Sequence, residues 1–194
     1  MRIAIIDYGA GNTQSVKYAL KRLSCEGILT SDKEVISNSD KVIFPGVGQA
    51  SSAMKKLQSE GLDLLIPNLK QPVLGICLGM QLMCNFSEEG NTECLKIFNS
   101  KVKKFDNSLK VPQIGWNTIF DLKTSLFNSI SEKEYMYLVH SYFVPVISET
   151  ISTTKYGIDY STAIKKNNFT GVQFHPEKSG GKGEIILKNF ITNP

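Results

Sequence analysis

Cys77 stands in the run PVLGICLGMQL, residues 72–82, with a glycine two positions to either side, Gly75 and Gly79. A cysteine buried only for packing needs no such clearance. G-x-C-x-G between a strand and a helix has the form of a nucleophile elbow, with cysteine in place of serine, and side chains two positions away would clash there. Such a turn holds the sulfur in a strained backbone conformation at the carboxyl edge of a sheet. The N–H groups of the following helix then favour thiolate over thiol. Taken alone, the pattern is more simply an inert cysteine at a tight strand–helix junction, since short glycine motifs recur by chance.

A thiolate used for acyl transfer needs a proton shuttle, and the chain has two histidines, His140 and His175. His175 lies in GVQFHPEKS, just past an expected core strand. Parallel strands deliver their carboxyl ends to one sheet edge, so His175 can reach Cys77. Glu177 can hold the imidazole in the useful tautomer, and Pro176 fixes the backbone between them. An isolated H-P-E is more simply a polar turn; beside a cysteine elbow the catalytic reading is the stronger one. Acyl transfer also needs an oxyanion hole. FPGVGQ (44–49) offers one, from the N–H groups of Val47 and Gly48 together with that of Leu78. The peptide between the glycines of PGVG can rotate cheaply, so this loop is expected to switch between a resting carbonyl and an active N–H facing Cys77.

Other chemistries find less support. GAGNTQ and GVGQAS do not complete G-x-G-x-x-G, and GGKGE lacks Walker A spacing, so no nucleotide cofactor is expected. The four cysteines, Cys25, Cys77, Cys84 and Cys94, contain no C-x-x-C pair, and with two histidines they leave little for a metal site. They are expected to be free thiols in a reducing, cytoplasmic compartment. A net charge of +4 comes from scattered lysines, with KVKK (101–104) the densest cluster, which argues against a nucleic-acid partner. No apolar stretch is long enough for a membrane span.

The elements that must position these residues follow from periodicity. RIAIID (2–7), KVIFPG (41–46) and PVLGI (72–76) read as buried strands. TQSVKYALKRL (13–23), with Asn12 or Thr13 at its start, and segments near 49–58 and 61–69 read as helices. CLGMQLMC has helix-forming composition. From about 95 to 165, short runs such as KVKKF, YMYLVH, ETISTT and STAIKK predict antiparallel edge strands and hairpins, whereas QIGWN reads as loop-like. FTGVQF (169–174) returns to the core pattern and GEIILKNFI (183–191) closes with a helix. The whole predicts one α/β domain over residues 1–194, with a mostly parallel sheet, flanking helices and an antiparallel edge extension.

LGICLGMQ, FPGVG and GVQFHPEKS together resemble the class I (triad) glutamine amidotransferases, whose fold is flavodoxin-like. DYGAGN, SEEG (87–90), VPQIGWN (111–117) and VHSYF (139–143) narrow the resemblance to the glutaminases that serve histidine biosynthesis, and it covers essentially the whole chain. It implies that Cys77 attacks the side-chain amide of glutamine, with His175 moving protons and Glu177 orienting it. Gln81 and Glu89 match positions that recognise the amino-acid end of the substrate, with Gly46, Ser141 and Tyr142 nearby. The family's partner is a (β/α)8-barrel cyclase that receives the ammonia. Asn12, Ile114, Trp116, Tyr137, His140 and Lys178 match or lie in the family's docking face for that barrel. A paralogue feeding ammonia to another synthase, such as one modifying a surface sugar, shares these motifs. A catalytically dead scaffold is disfavoured by the intact Cys-His-Glu set.

Overall fold

The computed structural model describes residues 1–9 and 11–193; Ala10, inside the DYGAGN motif, and Pro194 lie outside the described residues. The first half of the chain alternates. Strand β1 (Ile3–Ile6) leads to α1 (Thr13–Arg22), then β2 (Gly27–Thr30), α2 (Lys33–Ser37) and β3 (Lys41–Gly46). Helices α3 (Ala50–Glu60) and α4 (Leu62–Leu65) follow, then β4 (Val73–Cys77) and the five-residue α5 (Leu78–Leu82). The second half is mostly strands: β5 (Cys84–Ser87), β6 (Thr92–Glu93), β7 (Phe98–Lys104), β8 (Gln113–Thr118), β9 (Tyr135–His140), β10 (Tyr142–Pro145), β11 (Thr150–Tyr156), β12 (Ile158–Lys166) and β13 (Phe169–Val172). Helix α6 (Gly180–Thr192) ends the fold.

Among the described residues, eleven strands form one sheet with the central order β2-β1-β3-β4-β13-β12-β10-β7-β5-β6, and β11 pairs with β12. The first five of these are mutually parallel, and antiparallel pairing starts at β12. Every residue of β1, β3, β4 and β13 is buried, as expected of strands covered on both faces. Alternate residues feed two cores. Ala4, Ile6 and Phe44 pack with Met54 and Leu57 of α3 on one face. Ile3, Ile5 and Ile43 pack with Leu20 of α1 and Leu187 of α6 on the other. Each fully buried Ile or Leu contributes about 2 kcal/mol to holding these layers together. A third, aromatic cluster joins Phe105, Phe143 and Tyr160.

Two sequence expectations need correction. QIGWN is a strand: β8 pairs antiparallel with β9 in a separate two-stranded ribbon, which puts Trp116 opposite Tyr137 and Gln113 opposite His140. The helix after Cys77 stops at Leu82, because Cys84 already opens β5. Within residues 98–172 the strand pairs are antiparallel, as expected, while β5, ahead of them, runs parallel to β7. No helix among the described residues is long and apolar enough to cross a membrane.

Candidate active site

The sheet register brings the chemistry together. Gly46, the last residue of β3, pairs with Cys77, the last of β4, and β13 runs parallel beside β4 with Val172 opposite Ile76. The segments that follow these three strands therefore leave the sheet at one edge. They carry Val47 and Gly48, Leu78, and His175.

Cys77 occupies the elbow conformation, at φ 53° and ψ −109°. The flanking glycines are required by packing. A Cβ on Gly79 would lie 1.9 Å from the Phe44 carbonyl oxygen, and one on Gly75 would lie 2.5 Å from Met83 and 2.9 Å from the Met80 nitrogen. Helix α5 can press this closely against β3 and β4 only without those side chains. Cys77 as a whole is 6% exposed. Its thiol is 3.8 Å from the Val139 carbonyl, to which it donates, and Gln173 Nε2 donates to it over 3.6 Å.

His175 is held on three sides. Its backbone N–H donates to the Tyr137 carbonyl, and its own carbonyl accepts from Ser179 Oγ, which in turn accepts from the Tyr137 N–H. Its ring nitrogen Nδ1 lies 2.8 Å from Glu177 Oε1, with both side chains at most 2% exposed. Nε2 is buried without a hydrogen-bond partner. Burial opposes a charged ring here, but the Cys77 sulfur, when ionised, and the Glu177 carboxylate outweigh it, and the pKa of His175 rises to about 10. The free nitrogen therefore accepts the Cys77 proton readily and, once the sulfur is ionised, holds it at neutral pH.

A cavity of about 250 Å³ opens on this pair, lined by Val47, Gly48, Leu78, Gln81, Glu89, Ser141 and Tyr142 among others. That volume suits a ligand smaller than a drug molecule. Gln81 is buried, and its Nε2 donates to the Tyr142 carbonyl at 2.8 Å and to Gln173 Oε1 at 2.9 Å. Glu89 accepts from the Ala50 N–H through Oε2. Half-burial raises its pKa, against the pull of that N–H. Gly48 has φ +95° and open space where a Cβ would stand, so backbone conformation, not crowding, is what a side chain there would disturb. Gly46 is not among the lining residues; its Cα faces Tyr8, Leu78 and Gly79.

The expected docking residues divide. Ile114 and Trp116 are 64% and 55% exposed on β8, and Lys178 is exposed. Trp116 sets its ring edge-on to half-buried Tyr137 at 5.9 Å, and Tyr137 lies 6.5 Å from the His175 ring. Asn12 is half-buried and opens α1, which packs on the turn bearing Lys178. His140 departs from the expectation, because it is buried in the cavity wall and offers no surface to a partner. Its Nδ1 meets the Tyr142 carbonyl at 2.8 Å and its Nε2 meets the Tyr160 hydroxyl at 3.2 Å. Burial lowers its pKa to about 4, so it is neutral. The alternation of YMYLVH carries this signal, since it puts His140 on the face of Met136 and Leu138. Gln173, fully buried against the sulfur, has no such signal: a glutamine in an all-buried strand end has no periodicity that tells which way it points.

The family model for class-I glutamine amidotransferases matches residues 4–193. The imidazole glycerol phosphate synthase subunit HisH of Bacteroides fragilis is 56% identical, over 98% of this chain and 99% of that one. The HisH subunit of Haemophilus influenzae is 47% identical, over 98% and 97%. A chain in the structure of PurLQS from Thermotoga maritima shares the fold with a TM-score of 0.75 at 17% identity, covering 98% of this chain and 97% of that one. The chain belongs to the class-I glutamine amidotransferases and, within them, to the family of imidazole glycerol phosphate synthase HisH subunits.

Proposed function

We propose that this chain, as one amidotransferase domain over residues 1–194, hydrolyses glutamine to glutamate and ammonia through a thioester on Cys77. The observation that carries the reading is the unpartnered Nε2 of His175, buried in the same cavity wall as Cys77 while Glu177 occupies Nδ1. Sγ attacks the side-chain amide carbon as His175 takes its proton at Nε2. The tetrahedral oxyanion is met by N–H groups of Val47, Gly48 and Leu78. His175 returns the proton to the amide nitrogen, the C–N bond breaks and ammonia leaves. Water, deprotonated by the same nitrogen, then splits the thioester and restores the thiol. Glu177 accepts from Nδ1–H throughout and stabilises the imidazolium.

In this reading Gln81, Glu89, Ser141 and Tyr142 hold the amino-acid end of glutamine. The free carboxylate oxygen of Glu89 suits the ammonium group. Gly46 acts by packing beside Cys77 rather than by touching the substrate.

The partner is a HisF-type (β/α)8-barrel cyclase. Ammonia passes to N'-[(5-phosphoribulosyl)formimino]-AICAR-ribonucleotide, giving imidazole glycerol phosphate and AICAR. Identity of about half with HisH subunits over whole chains favours this partner above a synthase that modifies a sugar. Exposed Ile114 and Trp116, on the ribbon whose other strand touches His175, are the anchors. Four free cysteines accord with a cytoplasmic place for the pair. The test is to mix the chain with a HisF-type barrel and measure glutamate release with and without the ribonucleotide. The reading expects a rise that needs both; no stimulation by any such barrel would overturn the partner.

A further inference from the structure

We infer that Gln173 is a positioning residue which stabilises the thiolate of Cys77, and that it ties the sulfur to the residue reading the substrate, Gln81. The inference rests on the glutaminase reading above and adds a residue to it.

The direction of the hydrogen bonds is fixed by a single backbone group. The Tyr142 carbonyl can only accept, so the Gln81 atom 2.8 Å from it is the amide nitrogen Nε2. That same Nε2 lies 2.9 Å from Gln173, so the Gln173 atom facing it is Oε1. The remaining end of Gln173, 3.6 Å from Sγ, is therefore its N–H donor. Turning over Gln81 would set two pairs of acceptors face to face, and turning over Gln173 would set two donors face to face. Gln173 is completely buried, so no water competes for this contact.

A donor aimed at sulfur acts unequally on the two protonation states. The neutral thiol donates a hydrogen bond to the Val139 carbonyl at 3.8 Å and accepts weakly from Gln173. Once the proton leaves for His175, the Val139 carbonyl faces a like partial charge. The Gln173 N–H then becomes a charge-assisted bond, which is worth more than a neutral one. Gln173 thus favours the thiolate and restrains where it sits. The other titratable groups that feel the sulfur are His175, Tyr8 and Tyr160, while His140 and Glu89 share the cavity wall. None of these is altered by changing Gln173.

The test compares the pH profile of iodoacetamide alkylation at Cys77 in the full chain, followed by peptide mass spectrometry. Gln173→Met removes both ends of the amide. Gln173→Glu keeps an oxygen for Gln81 to donate to, removes the donor to sulfur and, when ionised, adds a negative charge beside it. Gln173→Met, which adds no charge, is expected to raise the midpoint by about one pH unit and to slow alkylation at neutral pH about tenfold. Gln173→Glu is expected to raise the midpoint further through like-charge repulsion. Their rates should converge with the unaltered chain at high pH, where the thiolate is complete. An unchanged midpoint in the two variants, or an equal slowing at every pH, would overturn the inference, because loosened packing produces only the latter. Glutamate release by Cys77→Ala, measured in parallel, separates this from the underlying reading. Activity retained there overturns the glutaminase assignment, whereas an inactive Cys77→Ala with unshifted Gln173 variants overturns only the role of Gln173.

Discussion

His175 and Glu177, two residues apart, meet through Nδ1 and Oε1 at 2.8 Å inside a side-chain environment almost closed to water. The intervening Pro176 opens a short 3-10 turn, so neighbours in sequence face one point in space. His175→Asn is expected to lower glutamine turnover by roughly two to four orders of magnitude, the range for a positioned acid–base group. Glu177→Gln should cost less, since it orients the ring without carrying the proton. Steady-state glutamate release measures both, and equal losses would assign Glu177 a larger part.

His140 offers a stability signature in acid. Its folded pKa, lowered by burial to about 4, lies below the ordinary value of 6.5. The unfolded chain therefore binds a proton that the folded chain refuses, and stability falls as pH drops from 6.5 toward 4. The loss is about 3 kcal/mol, at about 1.4 kcal/mol per pH unit. Urea unfolding across that window should show this limb, and His140→Gln should flatten it while leaving neutral-pH turnover largely intact.

Gly79 and Gly48 serve different needs. Gly79→Ala puts a methyl group 1.9 Å from a backbone oxygen, where no flexible side chain can give way. It is expected to cost about 3 kcal/mol or more. Gly48→Ala meets nothing within 4 Å and carries only the cost of φ +95°, about 1 kcal/mol. Its effect should fall on turnover with the partner bound, through the loop facing Cys77, more than on unfolding. Chemical denaturation and glutaminase assays on the two variants separate these outcomes.

How far the sequence is legible follows from the range of the forces involved. The parallel strands, the elbow and the H-P-E turn are local patterns, and each can be placed from neighbours alone. The β2–α2 unit, residues 27–37, has mostly exposed or half-exposed side chains and so lacks the apolar period that marks its neighbours. Strand β8 reads as loop because Gly115, at φ +125°, interrupts it, and only pairing with β9 makes it a strand. The Gln173–Gln81 contact spans 92 residues and depends on tertiary packing that no local pattern encodes.

Trp116 tests the docking ribbon. An aromatic side chain 55% exposed and braced edge-on by Tyr137 has the features of an interface anchor. Trp116→Ala should weaken binding of a HisF-type barrel by about 2 kcal/mol, or roughly thirtyfold, without changing the fold. Calorimetric titration gives the value, and undiminished affinity would place the interface elsewhere.

The most direct measurement is glutamate release by Cys77→Ala in the presence of the barrel partner and the ribonucleotide, with unfolding and complex formation followed on the same preparation. Because the thioester needs Sγ, the variant is expected to fold, to bind the partner and to release no glutamate above background. Substantial glutamate release by a folded, partner-bound Cys77→Ala would contradict the account.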